Sequence, residues 1–311
     1  MPRPRAPMVV HAGRGHGVGM TSTETAPTTP VSATLPEGLR LGAVHLTVTD
    51  LDRSVAWYQR SLGLRVLQHD ARVARLGDST TAVLVLHEDP AAPRAGRQAG
   101  IYHYALLYPS RAELARAAQR LAVTRTPIEG ASDHHTHEAI YLPDPDGIGI
   151  ELAADRPRAA WPDHLGYKGS PDPLDFASLM ESVAGQEPTE RVADGLRMGH
   201  VHLHVGDVDR GLAFYRDLVG FEEKANLGSA AFVSAGGYHH HLGFNVWRGH
   251  GVPPVPDRVV GMREWHVALP TADDVAAVRA RLSAGGATVT DRGAGFTVPD
   301  PWGNVMAVDV A

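Results

Sequence analysis

Histidine is the residue type through which this sequence could do chemistry. The chain has 18 histidines and no cysteine among its 311 residues. Two runs, at residues 134–137 and 239–241, concentrate the imidazoles. Without thiolates, any bound metal would have to be held by imidazole and carboxylate groups, and an imidazole with a pKa of about 6.5 can also move protons at neutral pH. The composition therefore indicates metal or proton chemistry at histidines.

The segments that must position these histidines repeat along the chain. Residues 43–58 and 200–215 share one register throughout. In each copy an alternating strand pattern runs to an aspartate, Asp50 or Asp207, that can cap a helix, and apolar residues then recur at helical spacing. Each copy is therefore predicted to be a strand followed by an amphipathic helix.

Short strand-like runs follow each predicted helix, so the repeating unit is βαβββ. Two more units open at Tyr102–Tyr108 and Glu264–Leu269, continue with predicted helices at Arg111–Ala122 and Ala272–Ala284, and carry matching Asp-Pro-x-Gly turns at residues 144–147 and 300–303. This gives four modules of about 50 residues, a period typical of repeated supersecondary units. We refer to them as modules one to four.

The modules resemble the vicinal oxygen chelate superfamily, closest to two-lobed catechol 2,3-dioxygenase-like proteins. The resemblance implies an α+β fold in which four βαβββ modules form two lobes of curved mixed sheets with helices outside. The Pro-, Thr-, Gly- and Arg-rich residues 1–40 are predicted to be a disordered leader. They are followed by a first domain of modules one and two (41–155), a linker (156–196) and a second domain of modules three and four (197–311). A short helix is expected in the linker, near Leu174–Ala184.

Residues 134–151 look like the extradiol dioxygenase signature: a histidine, an apolar-Tyr pair, an Asp-Pro-x-Gly turn and a glutamate on the next strand. Ser132 departs from the small or apolar residue usual two positions before that histidine. The resemblance implies that Glu151 is an iron ligand, that Tyr141 contacts substrate, and that His134 is an acid/base group beside it.

A facial triad of two histidines and one carboxylate leaves positions open on Fe(II) for a chelating catechol and O₂, with Mn(II) as an alternative ion. His103 stands where the family places one histidine ligand. The other ligand position, seven residues before the helix-capping residue, is occupied by Ala43 in module one and His200 in module three. In module four the corresponding positions hold Glu264 and Ala307. We therefore expect modules two and three to pack around the metal, and modules one and four to form a metal-free lobe.

His240 is a further catalytic candidate. A strand is predicted at His239–Trp247, so His239 and His241 should share one face and His240 should lie on the other. The resemblance places His240 near the O₂ position, where an imidazole can exchange protons with the substrate.

Plainer interpretations of these residues stay open. His45, His202, His204 and His266 are expected to be structural, and His135, His137, His164 and His250 to lie at the surface or in loops. A glyoxalase-type isomerase would use a redox-silent metal and a second carboxylate as base, and a metal-free binding protein would not need the triad. The exact diol is also left open.

Composition and charge limit the partners. A net charge of −6 offers no basic face for nucleic acid, and no apolar run is long enough to span a membrane. The expected partners are a catechol-type small molecule and O₂, and a homo-oligomer through edge strands stays open. The first forty residues contain no apolar stretch long enough for a signal peptide, so the cytoplasm is the expected location, and Met20 is an alternative start.

Overall fold

The computed structural model of the protein describes residues 34–168 and 170–311. A short strand, β1, precedes module one. The elements up to the end of module one are β1 (Arg40–Leu41), β2 (Val44–Val48), α1 (Leu51–Trp57, continued by a π-helical turn at Tyr58–Leu62), β3 (Arg65–His69), β4 (Val73–Gly77) and β5 (Ala82–Glu88). The elements of module two are β6 (Gly100–Leu107), α2 (Arg111–Thr124), β7 (Gly130–Asp133), β8 (His137–Pro143) and β9 (Gly149–Asp155).

The linker and the second half follow the same order. The linker contains a 3₁₀ turn (Arg158–Ala160), β10 (Asp172–Pro173) and α3 (Phe176–Glu181). Module three contains β11 (Arg197–His204), α4 (Val208–Leu212, continued by a π-helical turn at Ala213–Val219), β12 (Glu222–Asn226), β13 (Ala230–Ser234) and β14 (Leu242–Asn245). Module four contains β15 (Gly261–Leu269), α5 (Ala272–Ala284), β16 (Thr290–Arg292), β17 (Gly295–Pro299) and β18 (Val305–Val310).

The predicted βαβββ order of elements is confirmed in all four modules. Asp50 and Asp207 cap α1 and α4 by accepting from the backbone N–H groups of Arg53 and Arg210. In every module the opening strand runs parallel to the closing strand, while the intervening strands pair antiparallel. The sheets are therefore mixed, as an α+β fold of this kind requires.

Strand pairing joins module two to module three and module one to module four. β6 pairs antiparallel with β11, and β2 pairs antiparallel with β15. Modules two and three thus form one lobe, the 2–3 lobe, and modules one and four form another, the 1–4 lobe. Both pairings cross the predicted division of the chain into domains at 41–155 and 197–311.

Side-chain hydrogen bonds join the modules the other way, along the sequence. The Tyr58 hydroxyl in module one donates to Asp144 Oδ2 of the module-two turn at 3.0 Å. The Tyr215 hydroxyl in module three donates to Asp300 Oδ2 of the module-four turn at 2.9 Å. All four residues are buried, so each Asp-Pro-x-Gly turn is anchored to the helix of the preceding module.

The leader differs from its prediction where it is described. Leu35 and Leu39 are buried in the core, and Arg40 pairs with Ala268. The prediction that disorder reaches residue 40 is therefore wrong for residues 34–40, because two well-spaced leucines are enough to dock this segment on the sheet. The rest of the predicted leader lies outside the described residues. Within the described ranges, no helix has the length and apolar character needed to cross a membrane.

Candidate metal centre

Three strands of the 2–3 lobe bring the predicted ligands together. His103 lies on β6, Glu151 on the parallel β9 and His200 on the antiparallel β11. The His103 and His200 Nε2 atoms are 3.2 Å apart, and Glu151 Oε2 is 3.2 Å from the first and 3.1 Å from the second. The exposed fractions of the residues are 7%, 1% and 2%. Three donor atoms therefore form a nearly equilateral triangle inside the protein.

This triangle fits one face of a metal's coordination sphere. Donor atoms at right angles around an ion, each about 2.1–2.2 Å from it, lie about 3 Å apart. Two imidazoles and one carboxylate on a single face are the donor set of non-haem Fe(II) oxygenases. In addition, Glu151 Oε1 is buried, and its close polar neighbour among the described residues, His137 Nε2 at 3.2 Å, lacks good hydrogen-bond geometry. The residues present therefore fit a divalent metal.

Burial and neighbouring charges keep His103 and Glu151 in the protonation state that binds metal. Burial lowers the pKa of His103 to about 3, although Glu151 acts in the opposite direction. Burial also opposes ionisation of Glu151, but the neighbouring His200 and His137 hold its pKa well below the usual range. At neutral pH His103 is therefore neutral and Glu151 is anionic, as metal ligands must be.

The prediction that His137 lies at the surface is wrong. His137 is 3% exposed, and its Nε2 lies 3.2 Å from Glu151 Oε1. It begins β8 and is stacked between the rings of His134 and His239, with centroids 4.6 and 4.5 Å away. His137 is therefore a buried neighbour of the candidate ligand Glu151. Its place beside the histidine of the signature was the one available clue in the sequence.

His134 and Tyr141 meet as a pair at the wall of the cavity. His134 Nε2 is 2.7 Å from the Tyr141 hydroxyl, and the Tyr141 ring centroid is 5.9 Å from that of His103. Burial, followed by the nearby His137, lowers the pKa of His134 to about 4, and burial together with Glu151 raises the pKa of Tyr141 well above its usual range. The pair is thus a neutral imidazole next to a protonated phenol.

His240 also lies at the site, but the segment that carries it is not a strand. The predicted strand from His239 begins only at Leu242, because Gly236 and Gly237 adopt positive φ angles and turn the chain before it. The expected alternation of His239, His240 and His241 is therefore wrong. The His240 ring lies against the His200 ring at a tilt of 46°, with ring centroids 4.1 Å apart.

A hydrogen-bonded chain orients His240. Its Nδ1 lies 2.9 Å from His239 Nδ1, and His239 Nε2 lies 3.1 Å from Asp155 Oδ1. If His239 donates from Nε2 to the carboxylate, its Nδ1 accepts from His240 Nδ1–H, and His240 Nε2 keeps its lone pair. His241 faces away and lies 3.0 Å from Ser234 Oγ.

A cavity of about 260 Å³ opens above the triangle. Besides the ligand candidates it is lined by His134, Tyr141, His240, Tyr167, Phe232 and Trp247. Sequence reasoning missed Tyr167, which comes from the linker and whose hydroxyl donates to the His239 carbonyl and lies 3.0 Å from His240 Nδ1. A single aromatic residue in a Pro- and Gly-containing linker carries no signal for such a role.

Comparison with known proteins agrees with this geometry. A sequence profile of the Glyoxalase/Bleomycin resistance protein/Dioxygenase superfamily matches residues 40–152 and 197–308. Catechol-2,3-dioxygenase of Bacillus subtilis (strain 168) is 39% identical over 272 residues, which cover 85% of this chain and 95% of that protein.

Solved structures share the fold. A candidate dioxygenase from Bacillus subtilis subsp. subtilis strain 168 superposes with a TM-score of 0.58 at 15% identity, covering 86% of this chain and 84% of that one. Glyoxalase I from Zea mays gives a TM-score of 0.54 at 16% identity, covering 87% and 92%. At these identities the likeness shows the fold and leaves the chemistry to the site.

Proposed function

Because this chain belongs to the Glyoxalase/Bleomycin resistance protein/Dioxygenase superfamily, we propose that it is an extradiol dioxygenase that cleaves a catechol-type ring with O₂. The observation that carries the proposal is the buried triangle of His103, Glu151 and His200 on the floor of an aromatic-lined cavity. In this proposal the three residues hold Fe(II). When bound, the iron supplies adjacent open positions at which a diol and O₂ can meet.

The His134–Tyr141 pair gives the substrate a path for its first proton. With the Tyr141 hydroxyl donating to His134 Nε2, the phenol oxygen is free to accept a hydrogen bond from a diol hydroxyl. When the Tyr141 oxygen takes a proton from the diol, Tyr141 passes its own hydroxyl proton to His134 Nε2. The neutral state of His134 prepares it to act as the base.

His240 is the proton carrier on the other side of the cavity. The chain from Asp155 through His239 leaves its Nε2 as an acceptor, and burial, together with the nearby His200, lowers the pKa of His240 well below its usual value. His240 can therefore accept a proton from the substrate and return it to the product. His239 and Asp155 are positioning residues that fix its tautomer.

The cavity wall favours a planar aromatic substrate. Phe232 is part of the wall, while Trp247 and Leu227 stand at its mouth with 53% and 54% of their surfaces exposed. Aromatic rings bind well against such apolar and aromatic surfaces. The wall thus suits a planar ring.

A specific observation weighs against the glyoxalase alternative. An isomerase of that type would need a second carboxylate to act as base. Among the described residues that line the cavity, Glu151 is the only carboxylate, and it belongs to the ligand triangle. The histidine and tyrosine side chains around it are proton carriers suited to a diol.

The test is O₂ consumption by anaerobically prepared, Fe(II)-loaded protein offered a panel of catechols, with formation of a coloured ring-fission product. His200→Ala is run beside His204→Gln, which changes a buried histidine on the same strand whose one side-chain hydrogen bond within the described residues is to Asn245. We expect turnover in the wild type and in His204→Gln, and none in His200→Ala. If iron binds but no catechol is consumed, the proposal that the substrate is a catechol is wrong. Absence of metal binding would favour a metal-free binding protein.

A further inference from the structure

The 1–4 lobe contains a second group of metal-binding side chains, on the pseudo-equivalent strands β2, β5 and β15. His266 Nε2 lies 3.0 Å from Glu264 Oε1, and His45 Nδ1 lies 3.4 Å from the same oxygen. His87 Nε2 lies 3.1 Å from His45 Nδ1. We infer that His45, Glu264 and His266, with His87 beside them, form a second metal site, for a zinc-like divalent ion, that is independent of the candidate catalytic centre.

This cluster, which we call the His45 cluster, is not a decayed copy of the first site. The ligand positions in register with His200, His103 and Glu151 are Ala43, Glu264 and Ala307. His45 and His266 lie two residues further along β2 and β15. Because side chains two residues apart share a face of a strand, the donors still converge, but one step along the sheet. His45 and Glu264 are direct partners in the antiparallel pairing of the two strands.

The spacing of the donor atoms suits a tetrahedral ion. Four ligand atoms about 2.0–2.1 Å from Zn²⁺ would lie about 3.4 Å apart, and imidazole with carboxylate is a donor set that zinc accepts. Glu264 Oε1 lies 3.0 Å from His266 Nε2 and 3.4 Å from His45 Nδ1, which is close to that value. The donor atoms of these three residues all lie within 4.8 Å of one another, so small side-chain rotations would bring them around one ion.

One neighbouring residue would help to orient a ligand of such an ion, and another would compete with the ion. Asp309 Oδ2 lies 3.6 Å from His266 Nδ1, so this carboxylate can orient the ring through its other nitrogen, as outer partners of histidine ligands do. Arg292 on β16 donates to Glu264 Oε1 at 2.6 Å and has 45% of its side chain exposed. The guanidinium is therefore a competing cation that must move aside when a metal binds.

The position of the cluster indicates what the ion would do. It would link β2 in the first module to β15 in the last, and a solvent-accessible cleft bordered by His45, His87, Glu264 and Arg292 gives it a route of entry. Tyr141 and Glu151 of the 2–3 lobe correspond here to Thr297 and Ala307 by strand register. The site thus lacks the groups assigned to catalysis and serves to join the two ends of the folded chain.

The experiment titrates Zn²⁺ into full-length protein by calorimetry. It uses the His200→Ala background, in which the first site is disabled, so the outcome does not depend on the proposed dioxygenase activity. We expect one zinc per chain, with affinity lowered at least about 10–100-fold when His45→Ala or His266→Ala is added, the range seen when even outer-shell partners of a metal are lost. Arg292→Gln should bind zinc more tightly than the background, because a competing cation has been removed.

Two controls separate metal binding from folding. Circular dichroism identifies variants that fail to fold, and His87→Gln provides a milder change at the same cluster. Co²⁺ in place of Zn²⁺ should give the visible absorption of a tetrahedral site in the background and lose it in His45→Ala. If the background and His45→Ala/His266→Ala bind zinc equally, or if Arg292→Gln binds no more tightly than the background, the cluster is an ion-pair network and the proposal is wrong.

Discussion

The two lobes share a backbone plan and differ at the positions that matter for chemistry. In the 2–3 lobe, His103, Glu151 and His200 occupy the inward positions of three strands. In the 1–4 lobe, the same positions hold Glu264, Ala307 and Ala43. Because the strand pairings are equivalent, the fold does not decide which lobe carries the candidate centre. A few side chains on an unchanged scaffold do so.

The two halves of the chain differ in a similar way at their Asp-Pro-x-Gly turns. In the first half, Asp146 accepts hydrogen bonds from the Thr49 backbone and hydroxyl and from Arg53. In the second half Trp302 takes the place of Asp146, and the Arg210 guanidinium lies 5.3 Å from its ring centroid. The same arginine position therefore serves an ion pair in one half and a cation–π contact in the other.

The largest effect should follow from Glu151→Gln, which removes the charge of the carboxylate in the 2–3 lobe. We expect kcat/KM to fall by more than about 10⁴-fold, since the positioning of two reactants at one site contributes on the order of 10⁵ or more. Iron content should fall with activity, while zinc binding at the His45 cluster is unchanged. Oxygen uptake and metal analysis measure these outcomes.

Glu138→Gln is the matched control for that prediction. Glu138 is also a buried glutamate of module two, but it pairs with Arg111 and Arg156 rather than with histidines. The variant should retain iron and most of the activity if it folds. If Glu151→Gln were as active as Glu138→Gln, the 2–3 lobe would not differ from the 1–4 lobe by holding a catalytic metal at Glu151.

The second effect concerns the His134–Tyr141 pair, which is absent at the corresponding place in the 1–4 lobe. His134→Gln should lower kcat on the order of 10³-fold, within the range for loss of a general acid or base. Tyr141→Phe should have a similar effect, and the double variant should fall little further, because the two groups act as one proton path.

His135→Gln is the control in the same loop, since its side chain is 37% exposed and points to Asp172. It should leave the pH profile and kcat unchanged. If His134→Gln raised KM alone and left kcat intact, the pair would bind substrate without carrying a proton.

The third effect is a pH dependence of stability at the turn anchors. Burial raises the pKa of Asp144 to about 6, although its hydrogen bonds with Ile148 and Tyr58 act in the opposite direction. Because the folded pKa lies above the unfolded value of about 3.9, the folded state holds the proton more firmly. The contribution of the Asp144 carboxyl to the free energy of unfolding therefore declines as pH rises from about 4 to about 6, by roughly 3 kcal/mol.

Urea unfolding of the wild type and Asp144→Asn between these pH values tests the third effect. The variant cannot titrate there, so its curve should be flatter. Asp300→Asn should also flatten the curve, since burial raises the pKa of Asp300 as well. Parallel curves for the wild type and Asp144→Asn would show that this carboxyl has an ordinary pKa.

Much of this architecture could be predicted because the repeat fixes a register. The family resemblance indicated His103 and Glu151, the distance from the helix cap back to the opening strand then selected His200 over Ala43, and strand alternation predicted which neighbours share their face. That alternation fails where the backbone turns, so the glycines before His239 led to a wrong assignment for residues 239–241. The placing of Tyr167 and of the His45 cluster depends on contacts between segments far apart in sequence, which periodicity does not encode.

The smallest effect tests why the two turns differ. A Cβ atom added at Gly206 would lie 2.5 Å from Trp302 Nε1, whereas Thr49, the residue in register with Gly206, faces the smaller Asp146. Gly206→Ala should therefore lower the free energy of unfolding by about 1–2 kcal/mol through overpacking.

The double variant Gly206→Thr/Trp302→Asp imports the arrangement of the first half. Its loss in free energy of unfolding should be smaller, by about 1 kcal/mol, than the sum of the losses in the two single variants. A double-mutant cycle by urea unfolding measures that coupling. Strict additivity would mean that the ion pair and the cation–π contact are not interchangeable solutions for the same arginine.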